Sequence, residues 1–462
     1  MSYSDLLFFL GLLPLSVLFS FFDRSTEYKN FILIITSVIF FSWAKPAAVC
    51  LLFVTVIAEY FIGLGIAKTR EVKKSGAKAL LAADFIMNAA VFFVFTHNYL
   101  FEKISVLSFS QAVIPVGAAY YTVRGFSYCY DVYTGKCRAE KNIFCLLTYM
   151  VSYHFMIAGP VVRYGDMEPY IRKRTVGGHE INEGLNRFII GLAKAVLLAP
   201  VFARIKLAGL NSDEITLLGC WFGMIAFFGE AYFMLAGMSD MARGLGKMNG
   251  FEYPENYKDP SSKGLITGLL ESFNTTLVKF YEEVFTGLGR GKKLFSVVCT
   301  VLCYTALMIW YEAKVNFLIV GIAVGIIAAL EKYVYGKKLE KFPGAVKFIY
   351  VFGIGMAVFG GLYFSSMYGY RKWIMALTGI GTDYQLSVAV KNAVLNNIVL
   401  IIIAFISICP FIRKPLLAAA DRYGEKSARA YGQVRICKTV LLAAGGSDTV
   451  CNNPSGKASG LS

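Results

Sequence analysis

Ionisable residues interrupt several apolar stretches in the middle of this chain, and they are the first candidates for chemistry. Within a lipid bilayer such side chains face protein or a water-filled cavity, where they serve in ion pairs, proton transfer or contact with a polar substrate. The residues concerned are Arg124, Asp131, Arg163, Glu230, Asp240 and Arg243. Asp240 and Arg243 are three positions apart, a helical spacing that favours a buried ion pair between them over substrate contact.

Prolines and glycines break the same region. Pro115 and Gly117 stand in one apolar run, and Gly159 is followed by Pro160 in another. Proline interrupts a helix, and irregular backbone persists at membrane depth only where it packs on protein or lines a cavity. Residues 114–285 are therefore expected to form a cavity-lining core.

Three histidines, His97, His154 and His179, are the side chains best suited to general acid–base catalysis near neutral pH. His97 ends a hydrophobic run and His179 lies in a glycine-rich loop, where solvated interface residues are common. His154 precedes the Gly-Pro loop and is the catalytic candidate of the three. A buried structural role for His154 is the simpler interpretation.

The elements that must hold these residues are membrane helices. The 462 residues are 56% hydrophobic and 16% charged, whereas a soluble domain carries about 25% charged residues. The apolar residues form blocks close to the ~20 residues that cross a bilayer as a helix. Examples are residues 6–22, 31–44, 47–67, 215–238 and 394–412. The pattern predicts an all-α, polytopic transmembrane bundle of about eleven spans, in a multi-pass protein of the cell membrane.

Polarity along the chain predicts four parts. They are N-terminal transmembrane helices at 1–107, a core at 108–330, C-terminal transmembrane helices at 331–415, and a basic, then Gly/Ser-rich tail at 416–462. Residues 262–291 are too polar to span, so they predict a re-entrant or interfacial amphipathic helix, with a plain surface helix as the alternative. In the N-terminal part, Glu59 and Asp84 lie within apolar runs. Each is either a functional group or a polar contact at a helix end or between helices.

The formal net charge of +16 predicts contact with lipid headgroups rather than nucleic acid. The basic residues cluster at the ends of apolar runs, as in cytoplasmic loops under the positive-inside rule. The clusters are Lys68, Arg70, Lys73, Lys74 and Lys78, and then Arg172, Lys173 and Arg174. The ten cysteines include no C-x-x-C pair, so neither a disulfide framework nor a metal site is expected.

Three segments resemble, in order, motifs of one family. Residues 114–133 are IPVGAAYYTVRGFSYCYDVY, residues 157–164 are IAGPVVRY, and residues 237–257 are GMSDMARGLGKMNGFEYPENY. They are similar to segments of the bacterial membrane-bound O-acyltransferases that modify surface polymers, nearest to members acting in alginate O-acetylation and in D-alanyl transfer to teichoic acid.

The resemblance implies a helical bundle around a central tunnel and no bound cofactor. An acyl thioester, on a small acyl carrier protein or as acyl-CoA, would enter from the cytoplasm. An acceptor hydroxyl, or an extracytoplasmic acyltransferase or esterase-like partner, would approach from the other side. The residues expected to line the cavity or tunnel are Arg124, Asp131, Gly159, Pro160, Arg163, Glu230, Asp240, Arg243 and Trp310.

The match breaks at the residue that does the chemistry. The family has a Trp-His-Gly step at the end of a hydrophobic helix, and this chain has Trp310, Tyr311 and Glu312 there. The second position of the family pair is Asn274, as in many active relatives. Tyrosine, with a reference pKa near 10, is a poor base at neutral pH. A buried Glu312 is the better substitute, because burial raises the pKa of a carboxylic acid.

Three functions remain open from the sequence. The first is a non-catalytic relative that binds an acyl carrier, a lipid or an active partner, and the second is an active O-acyltransferase with Glu312 or His154 as the base. The third is a lipid or solute transporter or flippase, in which Arg124, Glu230, Asp240 and Arg243 would be the polar positions along a pore. The lack of an internal repeat argues against the third.

Overall fold

The computed structural model describes most of the chain. The described residues are 3, 5, 7–21, 25–43, 46–96, 117–156, 159–210, 216–258, 264–288, 293–382, 386–408 and 415. His97, Pro115 and the predicted tail therefore lie outside the described residues. All regular elements in the described part are helices, which confirms the predicted all-α class.

Four helices precede the region predicted to be the core. They are α1 (Leu13–Phe21), which continues a π-helical turn at Phe8–Leu12, α2 (Thr26–Ser42), α3 (Pro46–Val72) and α4 (Lys74–Thr96). The side chain of Ser25 accepts a hydrogen bond from the Tyr28 amide and so caps the start of α2. Lys73 alone separates α3 from α4, which places the two long helices side by side as an antiparallel pair.

Ten helices lie in the region predicted to be the core. They are α5 (Ala118–Thr134), α6 (Ile143–Val151), α7 (Tyr164–Arg172), α8 (Gly178–Ala193), α9 (Ala199–Leu210), α10 (Leu217–Met248), α11 (Ile266–Phe273), α12 (Thr275–Leu288), α13 (Lys293–Tyr311) and α14 (Val315–Leu330). A π-helical turn at Lys194–Leu198 joins α8 to α9 without a break. The Asn142 side chain caps α6 and the Thr216 side chain caps α10.

Five helices complete the described fold. They are α15 (Gly336–Leu339), joined to α14 through a π-helical turn at Glu331–Tyr335, then α16 (Gly344–Tyr363), α17 (Met367–Leu377), α18 (Val388–Leu395) and α19 (Ile398–Ile408). The Ser366 and Ser387 side chains cap α17 and α18.

Seven helices of the described chain are long and apolar enough to cross a membrane, and α18 with α19, bent by 67°, would make an eighth. This confirms a polytopic membrane fold, with fewer full-length spans than the eleven or so expected. Several helices fall short of that length: Phe8–Phe21 at the N-terminal end, α2 and α5 with 17 residues each, and α6 with 9. The segment predicted not to span forms two short helices, α11 and α12.

Glycines allow α8 and α9 to pack directly against α10. Backbone meets backbone at three points, where Gly184 lies against Gly244, Gly191 against Gly237, and Gly209 against Gly219. A Cβ at Gly184 would stand 2.6 Å from the Gly244 carbonyl oxygen. Small residues at such crossings are typical of membrane helix pairs.

One basic residue assigned to the lipid surface lies instead in the protein interior. Arg174 is 6% exposed, its Nε donates to the Asn249 carbonyl at 3.0 Å, and its guanidinium stands 4.5 Å from the Phe251 ring centroid. The prediction of headgroup contact is therefore wrong for Arg174. Arg172 keeps an exposed side chain.

Candidate functional site

The polar helix predicted from the sequence breaks at Asn274. Phe273 ends α11 and Thr275 begins α12, while Asn274 between them has φ −172° and ψ 70°. The Asn274 side chain is fully buried, and neither its oxygen nor its nitrogen has a hydrogen-bond partner in the described part of the chain. Leaving a buried amide unpaired costs about 1–3 kcal/mol, so this position is poised for a polar ligand.

Asn256 holds the break in place. Its carbonyl accepts from the Thr275 amide at 2.8 Å, and its side-chain oxygen accepts from the Thr276 amide at 3.0 Å and the Thr276 hydroxyl at 2.7 Å. Asn256 is fully buried. The loop after α10 thus supplies the partners that the first turn of α12 lacks.

The Gly159–Pro160 segment reaches the same point. Both residues are buried, and the next residue, Val161, donates its amide hydrogen to the Thr276 hydroxyl at 2.8 Å. Two of the three motif segments therefore meet at Thr276.

The end of α13 packs against the first motif segment, residues 114–133. Trp310 donates its indole N–H to the Ala119 carbonyl at 3.1 Å and packs edge-on against Tyr120, with ring centroids 5.1 Å apart. Trp310 is 7% exposed. This anchoring sets the position of the next residue, Tyr311, which is the last of α13.

The structure brings Tyr311 and Asn274 together. The Tyr311 phenol interacts with the Asn274 side chain, although no bond of ordinary length joins them. Tyr120 and Tyr257 also lie within electrostatic range of Tyr311, and the Tyr257 hydroxyl is buried without a partner among the described residues. We refer to Asn274, Tyr311, Tyr257 and Tyr120 as the phenol–amide cluster.

Arg124 lies in a different contact set. Its guanidinium donates to the Tyr149 and Met150 carbonyls, at 3.1 Å each, and stands 4.1 Å from the Phe155 ring centroid. These contacts tie α5 to the end of α6 and to the short 3-10 turn that follows. Arg124 therefore supports the loop that leads to the Gly-Pro step.

Asp131 and Arg163 form an ion pair with each other, and Arg163 also pairs with Glu283 at 2.7 Å. Lys136 joins the same Glu283 carboxylate at 2.6 Å. The Arg163 guanidinium lies 4.9 Å from the Phe280 ring centroid. This network links α5, the loop before α7, and α12.

Asp240 and Arg243 are neighbours but do not form the ion pair expected between them. Asp240 pairs with Arg187 at 2.5 Å and Lys194 at 2.7 Å, whereas Arg243 pairs with Glu255. The expected pairing is wrong because α8 and the loop after α10 bring better-placed partners. Glu230 is a separate case, paired with Lys206 of α9 at 2.6 Å.

The two substitute bases lie in different surroundings. Glu312 follows α13, its side chain is 35% exposed, and it pairs with Lys314 at 2.5 Å. His154 is fully buried in the 3-10 turn Tyr153–Phe155, outside the long apolar helices, and its Nδ1 lies 2.8 Å from the Tyr253 hydroxyl. Burial, and then the charges of Arg174 and Arg124, lower the pKa of His154 well below its usual value. Its imidazole is therefore neutral.

No family model matches the chain, but known proteins similar to it agree with the family that the motifs indicated. The chain is 26% identical over 450 residues to the probable alginate O-acetylase AlgI of Pseudomonas syringae pv. tomato, covering 92% of this chain and 83% of that protein. It is 26% identical over 442 residues to the probable alginate O-acetylase AlgI of Pseudomonas aeruginosa, covering 91% and 82%. It is 24% identical over 377 residues to the peptidoglycan O-acetyltransferase of Helicobacter pylori, covering 73% and 71%.

The resemblance to the membrane-bound O-acyltransferases is confirmed.

The apolar helices and these relatives together identify a multi-pass membrane protein. In this relative of the membrane-bound O-acyltransferases, the sequence alone did not single out Tyr120, Tyr257, Asn256 or Thr276. The first three stand inside the motif segments, so the motifs themselves carried a usable signal. Thr276 stands two residues after Asn274 and had no signal of its own.

The phenol–amide cluster offers hydrogen-bond donors to a carbonyl oxygen or a hydroxyl. A tyrosine hydroxyl donates one hydrogen bond and an asparagine amide donates two. Neither is a base at neutral pH, and the described histidines lie elsewhere, since His154 contacts Tyr253 and His179 is an exposed residue of α8. Among the described residues, no three side chains able to ligate a metal lie together.

Proposed function

We propose that the chain is a membrane component of cell-surface polymer O-acylation that binds an acyl thioester, or the acceptor hydroxyl, at the phenol–amide cluster without turning it over. The observation that carries the proposal is Tyr311 beside Asn274, where the family pair would hold an imidazole. The relatives act, by their names, as an alginate O-acetylase and a peptidoglycan O-acetyltransferase.

The lack of a general base at the cluster argues for binding without turnover. An alcohol attacks a thioester only when a base takes its proton, and the base must lie within hydrogen-bond reach of that hydroxyl. Phenol and amide groups can orient a carbonyl and polarise it, but they do not remove the proton at neutral pH. Binding would therefore survive the exchange of histidine for tyrosine, and transfer would not.

The same chemistry suggests the partners. The donor would be an acyl carrier protein or acyl-CoA on the cytoplasmic side, and an extracytoplasmic acyltransferase or esterase-like protein would act on the polymer. A surviving binding site without turnover fits a subunit that presents or holds the acyl group for such a partner.

The decisive experiment restores the missing base. Purified protein in lipid nanodiscs is given radiolabelled acetyl-CoA or an acetylated carrier protein, with alginate and peptidoglycan fragments as acceptors. We expect no transfer by the wild type, transfer by Tyr311→His, and loss of that gain when Asn274→Ala is added. Measurable wild-type transfer that Glu312→Gln or His154→Ala abolishes would establish the rewired enzyme instead.

A binding measurement tests the positive half of the proposal. A non-reactive thioether analogue of acetyl-CoA is expected to bind the wild type and to bind Tyr257→Phe about fivefold more weakly, as expected for a lost hydrogen bond of about 1 kcal/mol. Glu312→Gln and His154→Ala serve as controls that leave affinity unchanged. Equal affinity in Tyr257→Phe and wild type would contradict a binding role for the cluster.

A further inference from the structure

Two carboxyl groups lie in the interior of the N-terminal helices, away from the phenol–amide cluster. Glu59 is near the middle of α3 and Asp84 near the middle of α4, and both helices are candidate membrane spans. Both side chains are fully buried. Neither carboxyl group has an ion-pair partner among the described residues, unlike Glu230, Asp131 and Asp240.

Asn88 connects the two acids. Its Nδ2 donates to the Asp84 carbonyl at 3.1 Å and to the Asp84 Oδ1 at 3.3 Å, and its side chain also interacts with Glu59. Asn88 is 4% exposed, and its Oδ1 has no hydrogen-bond partner within the described chain. An unpaired amide oxygen beside two carboxyl groups is an acceptor that a proton or another cation would satisfy.

Helix α5 closes the third side. Gly125 makes room for the Glu59 carboxyl group, because any Cβ at residue 125 would overlap it. Tyr121, fully buried, has an unpartnered hydroxyl within electrostatic range of Glu59, and the Cys129 sulfur lies 3.9 Å from the Glu59 carbonyl oxygen. Neither oxygen of Glu59 has a hydrogen bond of ordinary length within the described structure, and the same holds for the Oδ2 of Asp84.

Charge balance decides what the site holds. Two carboxylates at close range in a low-dielectric interior cannot both be ionised. The charged groups acting on Glu59 are Asp84 of α4 and Arg124 of α5, and the Arg124 guanidinium is directed to the Tyr149 and Met150 carbonyls. One negative charge on the pair balances the single positive charge of Arg124. The second carboxyl group must then be protonated.

We propose that Glu59 and Asp84, with Asn88 between them, form an intramembrane site that binds one exchangeable proton shared by the two carboxyl groups. The site belongs to α3, α4 and α5 and does not depend on acyl transfer. A proton gained or lost there changes the net charge of the membrane interior by one, with Arg124 as the fixed counter-charge.

Dicyclohexylcarbodiimide, an apolar reagent that modifies protonated carboxylic acids in membranes, provides the test. Full-length protein in liposomes is treated over a range of pH, and the modified residue is located by mass spectrometry. We expect modification of Glu59 or Asp84 that declines as the pH rises. Glu230, equally within a span but paired with Lys206 at 2.6 Å, is the internal control and stays unmodified.

Single variants separate a shared proton from simple burial. In Asp84→Asn, Glu59 alone balances Arg124 and becomes ionised, so its modification falls severalfold at the same pH. Glu59→Gln has the matching effect on Asp84. Unchanged modification of the remaining acid in both variants would overturn the shared site.

An infrared measurement covers the case in which the reagent cannot enter. The carbonyl stretch of a protonated carboxylic acid is expected in the wild type and absent in Glu59→Gln with Asp84→Asn. An identical spectrum in that double variant would reject the proposal. Suppression of carbodiimide labelling by sodium at constant pH, without suppression by N-methylglucamine, would make the occupant a sodium ion and also overturn it.

Discussion

At the scale of single residues, His154 combines complete burial with a neutral ring. Its Nδ1 meets the Tyr253 hydroxyl, and its Nε2 has no partner within the described residues. Phe155 and Phe251 pack on the imidazole, with ring centroids 4.8 and 5.3 Å away. Protonation would place a second positive charge near Arg174, so the folded protein resists it.

This predicts a loss of stability in acid. The pKa of His154 is lowered in the folded protein and returns to about 6.5 on unfolding. The neutral imidazole therefore costs no stability above a pH of about 6.5. Below that pH the free energy of unfolding falls by about 1.4 kcal/mol for each pH unit, until the pH reaches the pKa of His154 in the folded protein. Thermal unfolding in detergent should show a steeper acid loss in the wild type than in His154→Gln.

His179 is the matched control. Its side chain is 76% exposed and lies 3.6 Å from Glu183, so His179→Gln should leave the acid loss unchanged. If His154→Gln and wild type lose stability in parallel as the pH falls, the buried imidazole is not the responsible group.

The resemblance predicted which two residues would meet, but the sequence did not predict the ion-pair partners around them. Asn274 and Tyr311 were paired because the resemblance places the family's two active-site positions there, and the structure brings them together. The partner of Asp240 could not be predicted, because Arg187 and Lys194 reach it from the α8 region only after the helices pack. The hydrogen bond from the Val161 amide to the Thr276 hydroxyl could not be predicted either, because the two residues are more than a hundred positions apart in the sequence.

At the scale of elements, the contact between α8 and α10 depends on the absence of side chains. A Cβ at Gly191 would stand 2.5 Å from the Met241 amide nitrogen and 2.9 Å from the Asp240 Cβ, besides overlapping the Gly237 carbonyl. The neighbouring groups are mostly backbone, which cannot move aside without moving the helix.

Gly191→Ala should therefore destabilise the protein by about 1–3 kcal/mol, the usual range for overpacking. Gly353→Ala in α16 is the control, because nothing lies within 4 Å of a Cβ there, and it should be neutral or stabilising through helix propensity. Unfolding titrations in mixed micelles measure both. Similar stabilities of the two variants would show that α8 and α10 can separate at little cost.

Helix existence followed from hydropathy, whereas helix length did not. The long spans α3, α4, α10 and α13 coincide with apolar blocks. Helix α5 ends before Gly135, which has a φ of 81° and donates its amide hydrogen to the Val132 carbonyl at 3.3 Å, within the last turn of the same helix. A glycine cap of this kind does not show in a hydropathy average.

At the scale of the whole molecule, one contact relates the basic loop to the core. Arg70, at the end of α3, donates to the Val132 carbonyl at the end of α5 at 2.8 Å. The ion-pair network of Asp131, Arg163 and Glu283 therefore lies on the same membrane face as the basic turn between α3 and α4. From the positive-inside rule we expect this face to be cytoplasmic.

Cysteine labelling in intact cells tests this orientation. In a background without the ten native cysteines, Lys73→Cys and Lys136→Cys should react with a membrane-impermeant maleimide only after permeabilisation. Trp43→Cys precedes the opposite end of α3, a helix of 27 residues and so about 40 Å long, and should react in intact cells. Labelling of Lys73→Cys and Lys136→Cys on different sides would contradict the shared face.

The Thr276 hydroxyl has one further implication for whatever occupies the centre of the protein. A hydroxyl has a single hydrogen to give, and here that hydrogen goes to Asn256 while the oxygen receives Val161. Its donor is thus committed to holding the scaffold, so an incoming molecule must find its donors in Asn274, Tyr257 and Tyr311. Ligand binding and the contacts that hold the helix break together thus depend on different side chains. Substitutions that change ligand preference need not disturb the hydrogen bonds of Thr276 to Asn256 and Val161.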